Sequence, residues 1–426
     1  MQYKISALLA STAAAVALAG VAHADAPAAP APTWASTIKL TGHLDAGITV
    51  NTTTPDNGLN FGNPFNDRAN QVMLNGLALT LERDVDTSAK TPDFGFKVQA
   101  VYGTDSRYTQ LIGEFNRMTK TRETFDFTEA HVDAHLPYFT AAGMEVHAGI
   151  LPTLEGIEVM DPTGNFFYSH SYLYNFGIPL KYTGIMTETH LSPLVDLYLG
   201  VDSGVNTFLG SAGGANANKF HFHGGIGLNF KTVSVLATTQ IGPEFYDIGP
   251  FHPTAVSKNR YLSDIAVTWH ISDKLTAMGD FNYIRDDAAA AEGFNDPEAY
   301  GAVGYLTYVI NPIVSIGGRV EVWEDKGNFY VASPPGPTDF INFEGGYGPT
   351  HFDATDFAKG PKEVYGEFTL GLNIKPQGLP PHFAGLTFRP EVRYDAVLDG
   401  GDAFIDATKK DQLTFAIDIV APFSVF

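Results

Sequence analysis

Leu386-Thr-Phe-Arg-Pro-Glu-Val-Arg-Tyr-Asp395 alternates without a break. Leu386, Phe388, Pro390, Val392 and Tyr394 share one parity; Thr387, Arg389, Glu391, Arg393 and Asp395 share the other. Successive side chains of a β-strand point to opposite faces, so one side of this strand is apolar and the other is charged. Such a strand separates an apolar phase from water. The stretch Leu413–Ala421 repeats the arrangement, with Leu413, Phe415, Ile417 and Ile419 on one side and Thr414, Ala416 and Asp418 on the other.

Working outward from there, about sixteen segments carry a period of two, among them Ile38–Asn51, Val72–Arg83, Thr124–Leu136, Gly143–Ile150, Ile313–Glu324 and Lys362–Ile374. The gaps between them alternate. Ser192-Pro193, Lys231, Ser272-Asp273 and Asn311-Pro312 are very short, whereas 52–71, 105–123, 151–179, 204–219 and 325–361 are long. Bacterial transmembrane barrels have an even strand number, short periplasmic turns and longer outer loops. A sandwich or propeller has no reason to keep every second connection short. The expected fold is an all-β, antiparallel, up-and-down transmembrane barrel of about sixteen strands over residues 38–426. The aromatic end, with Phe423 and Phe426, resembles the signal read by the barrel-assembly machinery.

Composition fits a lipid-facing exterior. The 426 residues include no Cys, 43 Gly, 31 Phe and 19 Tyr, and only 17% are charged. Ordinary soluble domains carry roughly 25%. Lys and Arg number 26 against 47 Asp and Glu, a formal charge of -21. That balance excludes a nucleic-acid partner, because nothing would neutralise phosphates. The lack of Cys excludes a disulfide scaffold, a thiolate zinc site and a thiol nucleophile. Acidic stretches such as 286–298 and 399–411 fall in connections, where they would meet lipopolysaccharide or simply stay solvated.

Residues 1–24 have a basic start at Lys4, an apolar run from Ile5 to Ala22 and an Ala22-His23-Ala24 site. This is the pattern of a secretory signal peptide cleaved after Ala24, followed by an Ala/Pro-rich lead-in over 25–37. The remaining chain has no second apolar run near 18 residues, so no helix spans a bilayer. The expected location is the outer membrane of a Gram-negative cell, with lipid around the barrel.

The lumen candidates lie on the polar strand faces: Glu129 and Asp133, with His131 and His135 beside them, then Arg319, Glu321, Arg389, Glu391 and Arg393. A barrel of this size is too wide to be filled by wall side chains alone, so these residues read as a pore wall whose charges set ion preference.

The connection 151–179 reads LPTLEGIEVMDPTGNFFYSHSYLYNFGIP and continues into KYTG. Glu155, Glu158, then Asn165, Phe166, Tyr168, Ser169, His170, Ser171 and Tyr172, then Gly177, Pro179, Thr183 and Gly184 make an N-F-x-Y-S-H-S-Y segment with a G-x-P-x-x-x-T-G ending. This resembles the OmpL-like putative outer-membrane β-barrel porins. The resemblance implies a loop folded into the barrel and a passive pore for small hydrophilic solutes. It leaves open whether the assembly is a homotrimer. As a constriction loop it would present Glu155, Glu158, Asp161, Tyr168, His170 and Tyr172. Its acids, opposite wall arginines, would set a transverse field. Its aromatic residues would equally form a packed plug.

No catalytic constellation and no cofactor motif is present. Ser169-His170-Ser171 lacks the geometry that defines a triad, since adjacent residues rarely face each other. His221 and His223 share a strand face, but no third ligand is indicated, so no metal site is expected. A diffusion porin is the leading reading. A solute-selective channel for sugars or organic acids, an outer-membrane enzyme and an adhesive barrel are the alternatives.

Overall fold

The computed structural model describes residues 33–56, 58–111, 114, 121–205, 207–209, 219–246, 256–291, 296–331, 362–380 and 384–425. The expected signal peptide, most of the lead-in, and Phe426 lie outside the described residues. Seventeen β segments make sixteen strands: β1 (Lys39–Asn51), β2 (Val72–Arg83), β3 (Asp93–Gly103), β4 (Thr124–Leu136), β5 (Met144–Pro152), β6 (Lys181–Ser192), β7 (Val195–Asp202), β8 (His221–Asn229), β9 (Val233–Tyr246), β10 (Val256–His270), β11 (Leu275–Asp286), β12 (Glu298–Val309), β13 (Val314–Asp325), β14 (Glu363–Ile374), β15 (Thr387–Phe388), β16 (Glu391–Asp399) and β17 (Asp411–Ser424).

β15 and β16 are two halves of one strand, the stretch quoted at the outset. Pro390 has no N–H to give the ladder, so regular pairing lapses at Arg389-Pro390. The parity is kept across the gap, because Arg389 N donates to Asp418 O at 3.2 Å and Leu372 N donates to Pro390 O at 3.0 Å.

Each strand pairs antiparallel with the next, and β1 pairs with β17 from Thr41 opposite Ser424 to Asn51 opposite Thr414. The sheet therefore closes. Closure leaves the wall without a free sheet edge, which is the condition for crossing hydrocarbon. The pleat sorts the side chains as the sequence predicts. Leu79, Val132, Ile185, Ile265, Leu306, Val320, Phe368 and Phe415 are exposed on the outer face. Asp45, Thr80, Asp264, Asn282, Arg319, Thr369 and Asp395 are buried on the inner one. Connections 193–194, 230–232, 271–274 and 310–313 are the tight turns at one end. The connection 153–180, from the other end, runs inside the barrel and touches inward-facing residues from β1 around to β17.

Candidate functional site

A chain segment with little regular structure inside a barrel leaves its N–H and C=O groups without ladder partners, and buried backbone groups must find partners elsewhere. Here the wall supplies them. On the strand containing β15 and β16, successive inward residues take successive parts of the inserted segment. Arg389 Nη1 donates to the carbonyls of Pro162, Asn165 and Phe167, each at 3.0 Å. Glu391 accepts from Tyr168 N at 2.9 Å and Ser169 N at 3.1 Å. Arg393 donates to the His170 carbonyl, and Asp395 accepts from the Tyr172 hydroxyl at 3.1 Å. Along Arg389, Glu391 and Arg393 the cations take carbonyls and the anion takes N–H groups, so the order of these three charges follows the order of the segment's backbone groups; Asp395 adds a side-chain contact.

β13 continues the seat. Glu321 accepts from Tyr172 N at 2.6 Å and Leu173 N at 2.7 Å. Arg319 donates to Glu158 at 2.6 Å, to the Ser169 carbonyl at 2.7 Å and to Glu367 on β14 at 3.1 Å. Glu158 also accepts from Ser171 N at 2.8 Å. Burial alone would raise the Glu158 carboxyl, but the Arg319 charge, with His170 and the Ser171 N–H, holds it down at about 2. Glu158 is therefore ionised at neutral pH and joined to its arginine directly, rather than facing it across water.

Glu155 is equally enclosed. His223 Nε2 lies 2.7 Å from it and the Thr153 hydroxyl donates to it. Burial raises this carboxyl too, and the His223 charge together with the hydrogen bonds from His223 and Thr153 outweighs it, so the net direction is down. Asp264 and Asp280 accept from Gly156 N and Ile157 N, both at 3.1 Å. Aromatic rings pack around these contacts. Tyr172 stacks on Tyr365 at 5.2 Å, His170 on Tyr174 at 4.1 Å, and Phe167 lies 5.2 Å below the Arg319 guanidinium. Tyr168 reaches across to β2 and donates to Asn75 at 2.8 Å. A π-helical turn, Leu173–Gly177, ends the plug. It ends on glycine for want of room: a Cβ at Gly177 would lie 2.7 Å from both Trp323 and Asn282.

The six loop candidates and five of the wall candidates thus meet in or beside one seat. Asp161 differs in exposure. It accepts from Gln99 Nε2 at 3.1 Å and from Thr163 N at 3.0 Å, and lies 3.6 Å from His43. Its side chain is 31% exposed, against 6% for Glu158 and none for Glu155. Glu129 and Asp133 lie apart from the seat, on β4. Lys97 pairs with Glu129 at 2.7 Å, and Asp133 lies between His131 and His147. His221 and His223 do not join His131: His221 faces Glu244 at 3.6 Å. Sequence reading missed Glu367, Asp264 and Asp280 as partners of the seat, and Asp418, whose carboxylate accepts from Arg389 Nε at 3.0 Å. It also missed Glu145, His147, Glu188 and His190, although their period of two beside short turns was visible.

A closed sixteen-strand barrel with a segment locked inside it narrows the field to channels of the porin kind. The model of the family described as putative beta-barrel porin-2, OmpL-like, matches residues 37–423. The chain belongs to this family. Solved structures agree on the fold of this porin. OmpF of Salmonella typhi, in complex with daunomycin, is 10% identical, with 91% of this chain and 97% of that one covered and a TM-score of 0.54. OmpT of Vibrio cholerae in its trimer form is 10% identical, with 91% and 99% covered and a TM-score of 0.54. OprB of Pseudomonas putida is 13% identical, with 91% and 94% covered and a TM-score of 0.52. No curated protein matches this porin by sequence. Family and fold together make it an outer-membrane porin channel.

Proposed function

We propose that small hydrophilic solutes and ions diffuse passively through the part of the lumen that the inserted segment leaves free. The observation that carries this reading is a cavity of about 320 Å³ between the segment and the wall, lined by Asp161, Thr163, Thr41, His43 and Thr80 among others. Ser424 adds a sixth polar side chain, and Gly42, Ala384, Gly385, Pro422 and Phe423 complete the lining; the polar members are what a water-filled passage uses. On this reading Asp161 is the loop acid that solutes meet. Glu155, Glu158, Tyr168, His170 and Tyr172 hold the segment, together with Arg319, Glu321, Arg389, Glu391 and Arg393. Glu129 and Asp133 line the opposite, wetter wall.

Export through a signal peptide cleaved near Ala24 belongs to the same reading, as does a homotrimer, which the likeness to the trimer form of OmpT favours. Single-channel recording in planar bilayers tests it. Steady ohmic steps support diffusion, and silence from a folded barrel would overturn it. Asp161→Asn should lower the cation-to-anion permeability ratio. An unchanged ratio would take Asp161 out of the passage.

A further inference from the structure

Away from the seat, the lumen faces of β4–β7 carry a second set of titratable groups. Register places Asp133 opposite His147, Glu145 opposite Glu188, and His190 opposite Asp196. Like charges directly opposite each other destabilise a strand pair. No Lys or Arg lies within ion-pair distance of Glu145 or Glu188 among the described residues; the nearby imidazoles are their charge partners. Lys97 is engaged by Glu129. The wall is thus rich in carboxylates and imidazoles and poor in fixed positive charge. It stands at the short-turn end, and the His147 side chain remains 26% exposed.

Three overlapping triplets there, His131/Asp133/His147, Glu145/His147/Glu188 and Glu188/His190/Asp196, each bring one ligand atom per residue within 4.8 Å of the others. The first has two imidazoles. Asp133 Oδ1 lies 2.8 Å from His131 Nδ1 and 2.6 Å from His147 Nδ1. We propose that His131, Asp133 and His147 bind one first-row divalent transition-metal ion, Zn²⁺ being the reference case, in the lumen wall.

Imidazole nitrogens with a carboxylate suit such ions, and a fourth position stays open to lumen water. Zn–N and Zn–O distances of about 2.0–2.1 Å in a tetrahedral site put ligand atoms about 3.3 Å apart, so the rings retreat only slightly from Asp133. The ion takes the place of the protons the rings share with Asp133, and these pass to solvent. Glu145, Glu188 and Asp196 add negative potential that concentrates cations at the site. The inference rests on the water-filled lumen proposed above, because the ion arrives through it.

The test is calorimetric titration of the chelator-stripped, folded barrel in detergent with ZnCl₂. Saturable binding near one ion per chain is expected. His131→Ala and His147→Ala should each weaken it by more than about tenfold, a scale reached even when a ligand loses only its supporting partner. His270→Ala, at an exposed strand end, should leave it unchanged. Electron paramagnetic resonance with Cu²⁺ should show two coordinated nitrogens in the parent chain and one in each single variant, whatever the affinities. No saturable binding, or full binding by the His131→Ala/His147→Ala chain, would overturn the proposal. Conductance in chelator-treated buffer separates the two readings. A failed titration with intact conductance sinks only the metal site, and a silent bilayer with intact Zn²⁺ binding sinks only the diffusion pore.

Discussion

Two walls of one barrel use the same pattern to different ends. β13 and β15–β16 alternate Arg with Glu or Asp on their inner faces, and these side chains lie against the inserted segment. The wall of β4–β7 alternates His and Glu or Asp, and it keeps some contact with water. Guanidinium groups stay charged and present several donors in a fixed plane, which suits them to hold carbonyls and carboxylates in a dry place. An imidazole nitrogen that has lost its proton offers a lone pair, which a guanidinium never does, and this suits imidazoles to a wall that keeps contact with water. The difference lies in the counter-cation, guanidinium in one wall and imidazole in the other.

The largest effect should come from Arg319→Ala. It leaves Glu158 and Glu367 buried without their guanidinium, a loss of about 3–5 kcal/mol. The inserted segment should then leave its seat, seen as raised single-channel conductance and new protease cleavage within 153–180. His147→Ala, by contrast, should change neither. Equal effects in the two variants would erase the distinction between the walls.

Glu391→Gln comes next. A charged acceptor contributes about 1.5–3 kcal/mol per hydrogen bond, and the amide keeps only part of this for the N–H groups of Tyr168 and Ser169. Amide hydrogen exchange at those two residues should speed up. Asp133→Asn should leave their exchange as it is.

Acid should act on the Glu158 contacts only late. The Glu158 carboxyl ionises at about 2 in the seat, below its ordinary 4.5. A group whose bound-state value is depressed contributes fully above its ordinary value and loses that contribution as pH falls toward the bound-state value. The Glu158 contribution should therefore hold down to about 4.5 and fade between there and about 2, read as conductance against pH. Full release of the segment at pH 5 would contradict this. The smallest effect is expected of Tyr172→Phe. Asp395 keeps Arg393, 2.7 Å away, so no carboxylate is left unpaired, and the loss should sit at the low end for a charged acceptor, about 1.5 kcal/mol, measured as a small rise in exchange across Leu173–Gly177.

The barrel was legible because its signals are local. A period of two and the alternation of short and long gaps can be read one segment at a time, and the sixteen strands follow. That Arg389, Glu391, Arg393 and Asp395 point inward was equally legible. That they are covered was not, because burial there depends on the path of an irregular segment more than two hundred residues earlier in the chain. The N-F-x-Y-S-H-S-Y stretch marked the segment, but the segment is held largely through its own backbone groups, which carry no signature in the sequence. The histidine wall needed the register of three neighbouring hairpins before Asp133, Glu145, His147, Glu188 and His190 became one cluster.

The match between the charges of β15–β16 and the inserted segment also bears on assembly. The segment lies before β6 in the chain, yet half of its partners sit on strands synthesised near the end. A shift of that late strand by one residue would turn Arg389, Glu391 and Arg393 toward lipid and leave the segment's backbone groups unmet. The segment can settle fully only after the last hairpin has closed in register against β1. Its seating therefore reports that the seam is correct, and an unseated segment would mark a misassembled barrel.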